Sequence, residues 1–180
     1  MALIPLYHVV PSYYDIDATT LAAVGTTPIK MGMFIGLDAT SGGAIIADGT
    51  TAAKNAMGIA GDSVGTSNDY TPYAADLVIS SGGATRRTQN RISDYFNHSA
   101  GSGKLTVYHS GGEFLTDQYT GSFTPGCIVY CNANGLAANS GTQIVGRCVV
   151  APTAYPSGVP GTDVAGSITL GTYLRVKLSI

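Results

Sequence analysis

The sequence predicts an all-β fold: a compact β-barrel or β-tulip-like domain with an extended N-terminal arm and one irregular insertion. Three observations carry that expectation. Only 11% of the 180 residues are charged, against a usual figure of about 25%, while 44% are apolar and 24 are glycine. Gly, Ser, Thr and Ala stand where a helical bundle or coiled coil needs Glu, Lys, Arg and Leu, and Glu113 is the single Glu. Short apolar runs alternate with Gly-, Asn- and Asp-rich turns. The closing segment 173–180 has period two: Leu174, Val176, Leu178 and Ile180 fall on one face, Arg175, Lys177 and Ser179 on the other. A chain of this size buries about 70% of its unfolded surface, so its core needs neither disulfides nor metals.

Residues 1–28 read as an extended arm ahead of a barrel domain at 29–180. Pro5, Pro11 and Pro28 bias their preceding residues toward extended geometry. Leu6, Tyr7, Val9, Val10, Tyr13 and Tyr14 make the arm apolar enough to require a surface. That surface is either its own barrel or a neighbouring subunit. Asp17 is a candidate N-cap for a short helix ending near Val24. Strands are then expected at 33–37, 44–47 and 56–61, the second closed by Asp48-Gly49. Others are expected at 77–79, 104–108, 113–115 and 127–131. Asn134-Gly135 predicts a type I′ hairpin after the last of these. Segment 143–150 is the longest strand candidate.

A faint internal echo links 33–38 and 56–60 with 127–132 and 144–148. Each copy is an apolar strand, a polar turn and a strand with Gly behind an apolar residue. Such a Gly admits a neighbouring backbone or bends a strand at a barrel corner. Residues 81–103 interrupt the pattern as an irregular insertion in which Arg91 to His98 has the length of a short helix.

Cys127, Cys131 and Cys148 are an odd set, expected as free thiols. Four residues of strand separate Cys127 from Cys131 by about 13 Å, too far for a disulfide. His8, His98 and His109 lack metal-pair or nucleophile–base spacing. Glu113 is expected as a solvated turn residue, with an inward-pointing acid as the alternative. No P-loop pattern is present, so no catalytic residue, metal or cofactor is expected. The termini predict neither a secretory signal nor a membrane span. The net charge, 9 − 11 = −2, argues against a nucleic-acid partner.

Arg86, Arg87 and Arg91 hold three of the nine basic residues, beside Tyr95 and Phe96. They are either a solvated face or an anchor onto partner carboxylates.

Five segments give a family resemblance: Gly32-Met-Phe-Ile-Gly-Leu-Asp38, Lys54-Asn-Ala-Met-Gly-Ile-Ala-Gly61, Tyr130-Cys-Asn-Ala-Asn-Gly-Leu136, Gln143-Ile-Val-Gly-Arg147 and Gly171-Thr-Tyr-Leu-Arg-Val-Lys-Leu178. In this order the chain from about Ile29 to Ile180 resembles small capsid decoration (cement) proteins of tailed bacteriophages. The resemblance implies a non-enzymatic trimer, made in the host cytoplasm, that binds the major capsid protein on the outside of the shell and stiffens it. It often implies an N-terminal arm that adds a strand to the shell. The insertion at 81–103 departs from the simplest such proteins. A tail or fibre component and a small carbohydrate-binding β-barrel are the alternatives.

Overall fold

The computed structural model describes residues 3–5, 11–65, 78–81, 84–87, 97–99, 103–109, 111–154 and 172–180. Its strands in chain order are β1 (Leu3–Pro5) and β2 (Pro11–Asp15), then helix α1 (Ala18–Ala23), then β3 (Phe34–Leu37), β4 (Ala44–Ile46), β5 (Gly58–Ala60) and β6 (Ser63–Gly65). The insertion region carries β7 (Val78–Ser81), β8 (Ala84–Arg87) and β9 (Asn97–Ser99). The remainder are β10 (Lys104–Tyr108), β11 (Glu113–Thr116), β12 (Tyr119–Thr120), β13 (Ile128–Cys131), β14 (Ala137–Ala138), β15 (Gln143–Ala154) and β16 (Thr172–Leu178).

The all-β class is what the structure forms, and β15 is its longest strand. Among the described residues the strands do not close into a barrel. They make a seven-stranded sheet, β1-β11-β16-β15-β13-β14-β12, and a five-stranded sheet, β2-β10-β5-β3-β4. Two further pairs, β6-β9 and β7-β8, stand apart from these among the described residues.

Burial explains the layered arrangement. A barrel strand buries one face, whereas neighbouring residues of β3 and β5 bury both. Phe34 and Ile59 enter a large core with Phe114, Val129, Val145, Leu174, Val176 and Leu178 of the seven-stranded sheet. Ile35 and Ala60 enter a second core with Ile16, Val24, Ile29, Val64, Leu105 and Val107, against which Leu21 of α1 packs. The five-stranded sheet therefore lies between two apolar layers, which is why its strands read as continuous apolar runs. On β16 the expected alternation appears: Leu174, Val176 and Leu178 are buried, while Lys177 is exposed.

Local chemistry sets the ends of the elements. Asp17 caps α1, its Oδ2 accepting from the amides of Thr19 at 2.9 Å and Thr20 at 3.1 Å. The turn after β13 is not the expected type I′, which needs positive φ at both central residues. Only Gly135 has positive φ there, +69°. Its amide donates to the Asn132 carbonyl, and the Asn132 side chain accepts from the amides of Asn134 and Leu136. The turn then docks on the other sheet, where Phe34 donates its amide to the Gly135 carbonyl at 2.7 Å.

The two glycines of the internal echo, Gly58 and Gly146, admit close neighbours. A Cβ on Gly58 would meet the Tyr108 carbonyl at 2.6 Å, and one on Gly146 would overlap the Lys177 carbonyl. Close approach, rather than a barrel corner, is their role.

The insertion also differs from expectation. Asn97 and His98 belong to β9, which runs parallel to β6 with Asn97 opposite Ser63 and His98 opposite Val64. Extended pairing there excludes the helix reading for these two residues; 91–96 lie outside the described residues. Arg86 and Arg87 lie on strand β8, opposite Ile79 and Val78 of β7, rather than on an irregular loop.

Candidate interaction surface

The N-terminal strands occupy one side of both sheets. β1 is the terminal strand of the seven-stranded sheet, pairing Leu3–Pro5 with Thr116–Phe114 of β11. β2 is the terminal strand of the five-stranded sheet, pairing Pro11–Asp15 with Tyr108–Lys104 of β10. From Leu3 to Pro11 the chain advances eight residues, and from their partners Thr116 to Tyr108 it steps back eight. The antiparallel register is therefore the same in both sheets. β1 and β2 thus form an N-terminal ribbon of two strands in one register, one strand on each sheet. Of the two surfaces open to the arm, these strands take the chain's own sheets.

The two tyrosines of β2 alternate. Tyr14 packs against the second core. Its hydroxyl donates to His109 Nε2 at 3.1 Å, because Nδ1 of that ring donates to the Met57 carbonyl at 3.2 Å. The rings meet edge to face, centroids 5.7 Å apart. Tyr13, one residue earlier, points the other way and is 72% exposed. Beyond them Asp15 pairs with Lys104 at 2.9 Å in the open, a surface contact of small energetic weight. His109 is thus a packing residue that ties β2 to the segment before β5.

Of the other residues singled out, Leu6, Tyr7, Val9, Val10, Arg91, Tyr95 and Phe96 lie outside the described residues. Arg86 and Arg87 are neighbours on β8. Glu113 is neither a solvated turn residue nor an inward acid. It lies on β11 with its side chain 16% exposed, and both Nε and Nη2 of Arg175 donate to its Oε2 at 2.8 and 2.5 Å.

A feature missed in the sequence is a threefold motif, Asp-x-Thr-[Ser/Thr], at Asp17, Asp38 and Asp48. Each carboxylate accepts from the two amides that follow at positions two and three: Thr19 and Thr20, Thr40 and Ser41, Thr50 and Thr51. The Ser41 hydroxyl further joins the first two, 2.8 Å from Asp17 Oδ1 and 3.1 Å from Asp38 Oδ1. The Ser41 hydroxyl, then the Thr20 amide, hold the Asp17 carboxyl below its usual range. For Asp38 the Ser41 amide acts first and the Thr40 amide next, in the same direction. Desolvation opposes the shift at Asp48, but hydrogen bonds from Thr50 and Thr51 outweigh it. Asp17, Asp38, Ser41 and Lys54 line an open cleft of about 580 Å³ beside α1. The arrangement satisfies turn amides internally, so the motif builds the fold. Repetition of Asp-x-Thr was the signal that would have revealed it.

Among the described residues, no group of three or more His, Cys, Asp and Glu side chains is arranged to hold a metal ion. No protein-family model, curated protein or solved structure matches the chain.

Proposed function

We propose that this protein is a capsid decoration protein: a trimer that binds major capsid protein on the outside of a bacteriophage shell and stabilises it. The observation that carries this reading is the N-terminal ribbon. Its strand β1 is the last of the seven-stranded sheet and its strand β2 the last of the five-stranded sheet, in a common register. Tyr13 projects from that ribbon with most of its surface exposed. A terminal strand offers unpaired backbone groups to an incoming strand, and side chains beside it provide register. The resemblance drawn from the sequence supports the same reading, and its segments fall on β3, β5, β13 with its turn, β15 and β16. Those elements build the shared core, so the resemblance belongs to the scaffold; the ribbon is the proposed contact.

Purified protein mixed with undecorated bacteriophage shells, assembled from a major capsid protein, is expected to co-sediment with them. It should also raise their resistance to heat. Tyr13→Asp should lower occupancy severalfold while leaving the circular dichroism spectrum unchanged. Sedimentation of the free and bound protein is expected to give three copies per site. Failure to bind such shells at any ionic strength would overturn the proposal.

A further inference from the structure

We propose that Cys127, just before β13, and Cys148 of β15 form a dithiol site that a small-molecule disulfide of the glutathione class converts to an intramolecular disulfide. This inference is independent of the capsid reading.

The sequence directs attention to Cys127 and Cys131, which share a strand and cannot meet. The fold supplies a different partner. Thr124, Pro125, Gly126 and Cys127 form a turn closed by the Cys127 amide on the Thr124 carbonyl at 3.1 Å, with Gly126 at φ +85°. Pro at the second position and a positive-φ Gly at the third are the requirements of a type II turn. The Gly126 amide donates to the Cys148 carbonyl at 2.8 Å, and the Cys148 amide donates to the Cys127 carbonyl at 2.9 Å. Two residues of one strand thus oppose one of the other, a β-bulge with Gly first, and Cys127 is fixed across from Cys148. The next pair along, Ile128 and Arg147, continues the register.

Both thiols lie on the inner face. Cys148 belongs to the large core at 2% exposure, and Cys127 packs against that core while remaining partly open. Cys127 is near enough to raise the proton affinity of the Cys148 thiol. Facing Cα atoms of paired antiparallel strands are about 4.5–5.5 Å apart, inside the roughly 4.4–6.8 Å range of disulfides.

The asymmetry in exposure orders the steps. Burial, then the neighbouring Cys127, pushes the Cys148 thiol up to about 11. The accessible Cys127 therefore reacts first, its thiolate attacking one sulfur of the disulfide RSSR and releasing one RS⁻. Cys148 then gives up its proton, its sulfur attacks that of Cys127, and the second RS⁻ leaves. The two protein thiols are oxidised, RSSR is reduced to two RSH, and the two protons end on the leaving thiolates. Cys131 lies on the same strand with its thiol pushed by burial up to about 12, and no cysteine faces it in the register, where its neighbours are Gln143 and Ala137.

The native protein should be incubated with oxidised glutathione, quenched in acid, and its thiols counted in denaturant. The count is expected to fall from three to one, with peptide mapping joining the Cys127 and Cys148 fragments and a native circular dichroism spectrum retained. The thermal midpoint should rise after oxidation, because the bridge closes a loop in the unfolded chain. Cys148→Ala should stop at a stable glutathione adduct on Cys127, while Cys131→Ala should still form the bridge. If the Cys148 variant does not fold, the wild-type peptide map decides alone. Three remaining thiols, a persistent adduct in the wild type, or a bridge to Cys131 would overturn the proposal.

Discussion

The two sheets share one core but differ on their far sides. Beyond the five-stranded sheet lies a second apolar layer of α1, Ile29 and Val64; beyond the middle of the seven-stranded sheet stand Ile144, Arg147 and Lys177, all exposed. Consecutive residues Phe34 and Ile35 are both fully buried, whereas Val176 and Lys177 are a buried and an exposed neighbour. The same backbone geometry thus imposes two sequence patterns. A strand covered on both faces has no polar phase, and a strand covered on one face alternates. Sheet position is written in hydrophobic periodicity only where water reaches one side.

The largest expected effect tests that contrast directly. Phe34→Ala should cost about 3–5 kcal/mol and Ile35→Ala about 2–5 kcal/mol, since each leaves a cavity in a different core. Lys177→Ala, on the solvent side of β16, should change stability by no more than about 0.5 kcal/mol. Urea unfolding of the three variants measures the difference. An Ile35→Ala variant as mild as Lys177→Ala would mean that the second core contributes little and that the molecule behaves as a simple two-layer sandwich.

A smaller effect is expected where the two sheets are joined by polar groups. Gln143 at the start of β15 reaches Ala56, just before β5. Its Oε1 accepts from the Ala56 amide at 2.6 Å and its Nε2 donates to the Ala56 carbonyl at 2.9 Å. The side-chain amide acts as one residue of an absent strand, satisfying a buried backbone pair. Gln143→Ala should cost about 1–3 kcal/mol, the penalty for leaving such groups unpaired. Gln143→Glu sharpens the test, because an ionised carboxylate accepts from the amide but repels the carbonyl. It should be less stable than wild type at neutral pH and recover part of the loss once protonated. Equal stability of Glu and Gln across that range would show that the clamp does not join the sheets.

Much of this fold was legible because it rests on local rules. The alternation of Leu174, Val176 and Leu178 placed β16 correctly, and the Asp17 cap marked α1. Apolar runs located β3, β5, β13 and β15. What was illegible is where strands go after they form. Nothing in Phe34-Ile35 says that a second layer covers Ile35, so a closed barrel and a sandwich looked alike. Register also hid the sites: Tyr14 meets His109, 95 residues on, and Cys127 meets Cys148 only because a bulge aligns them. At β1 and β2 the sequence supplied extended geometry but not the common register in which they pair with β11 and β10.

The smallest expected effect concerns acid, and it falls on one side of the molecule. Asp17, Asp38 and Asp48 border α1 and β4, where Ile16, next after β2, bridges to Ala44 of β4. Their folded carboxyls lie below the unfolded value of about 3.9 because turn amides and hydroxyls donate to the ionised form. A depressed folded value means that the unfolded chain takes up protons first as pH falls. The stabilisation is therefore complete above the unfolded value and is lost as pH drops through the lower, folded one. Loosening is expected first at the amides of Thr19, Thr20, Thr40, Ser41, Thr50 and Thr51, before the core amides of Val145 and Val176 lose protection. Hydrogen exchange from about pH 6 to about pH 3 follows both sets. Ser41→Ala should move the onset at Asp17 to higher pH, since the Ser41 hydroxyl is the main cause of its shift. Asp38→Asn keeps a turn acceptor without a titrating group, so exchange at Thr40 and Ser41 should lose its acid dependence. If both sets of amides open together at every pH, the turns are not a separable edge, and the two sheets respond to acid as one unit.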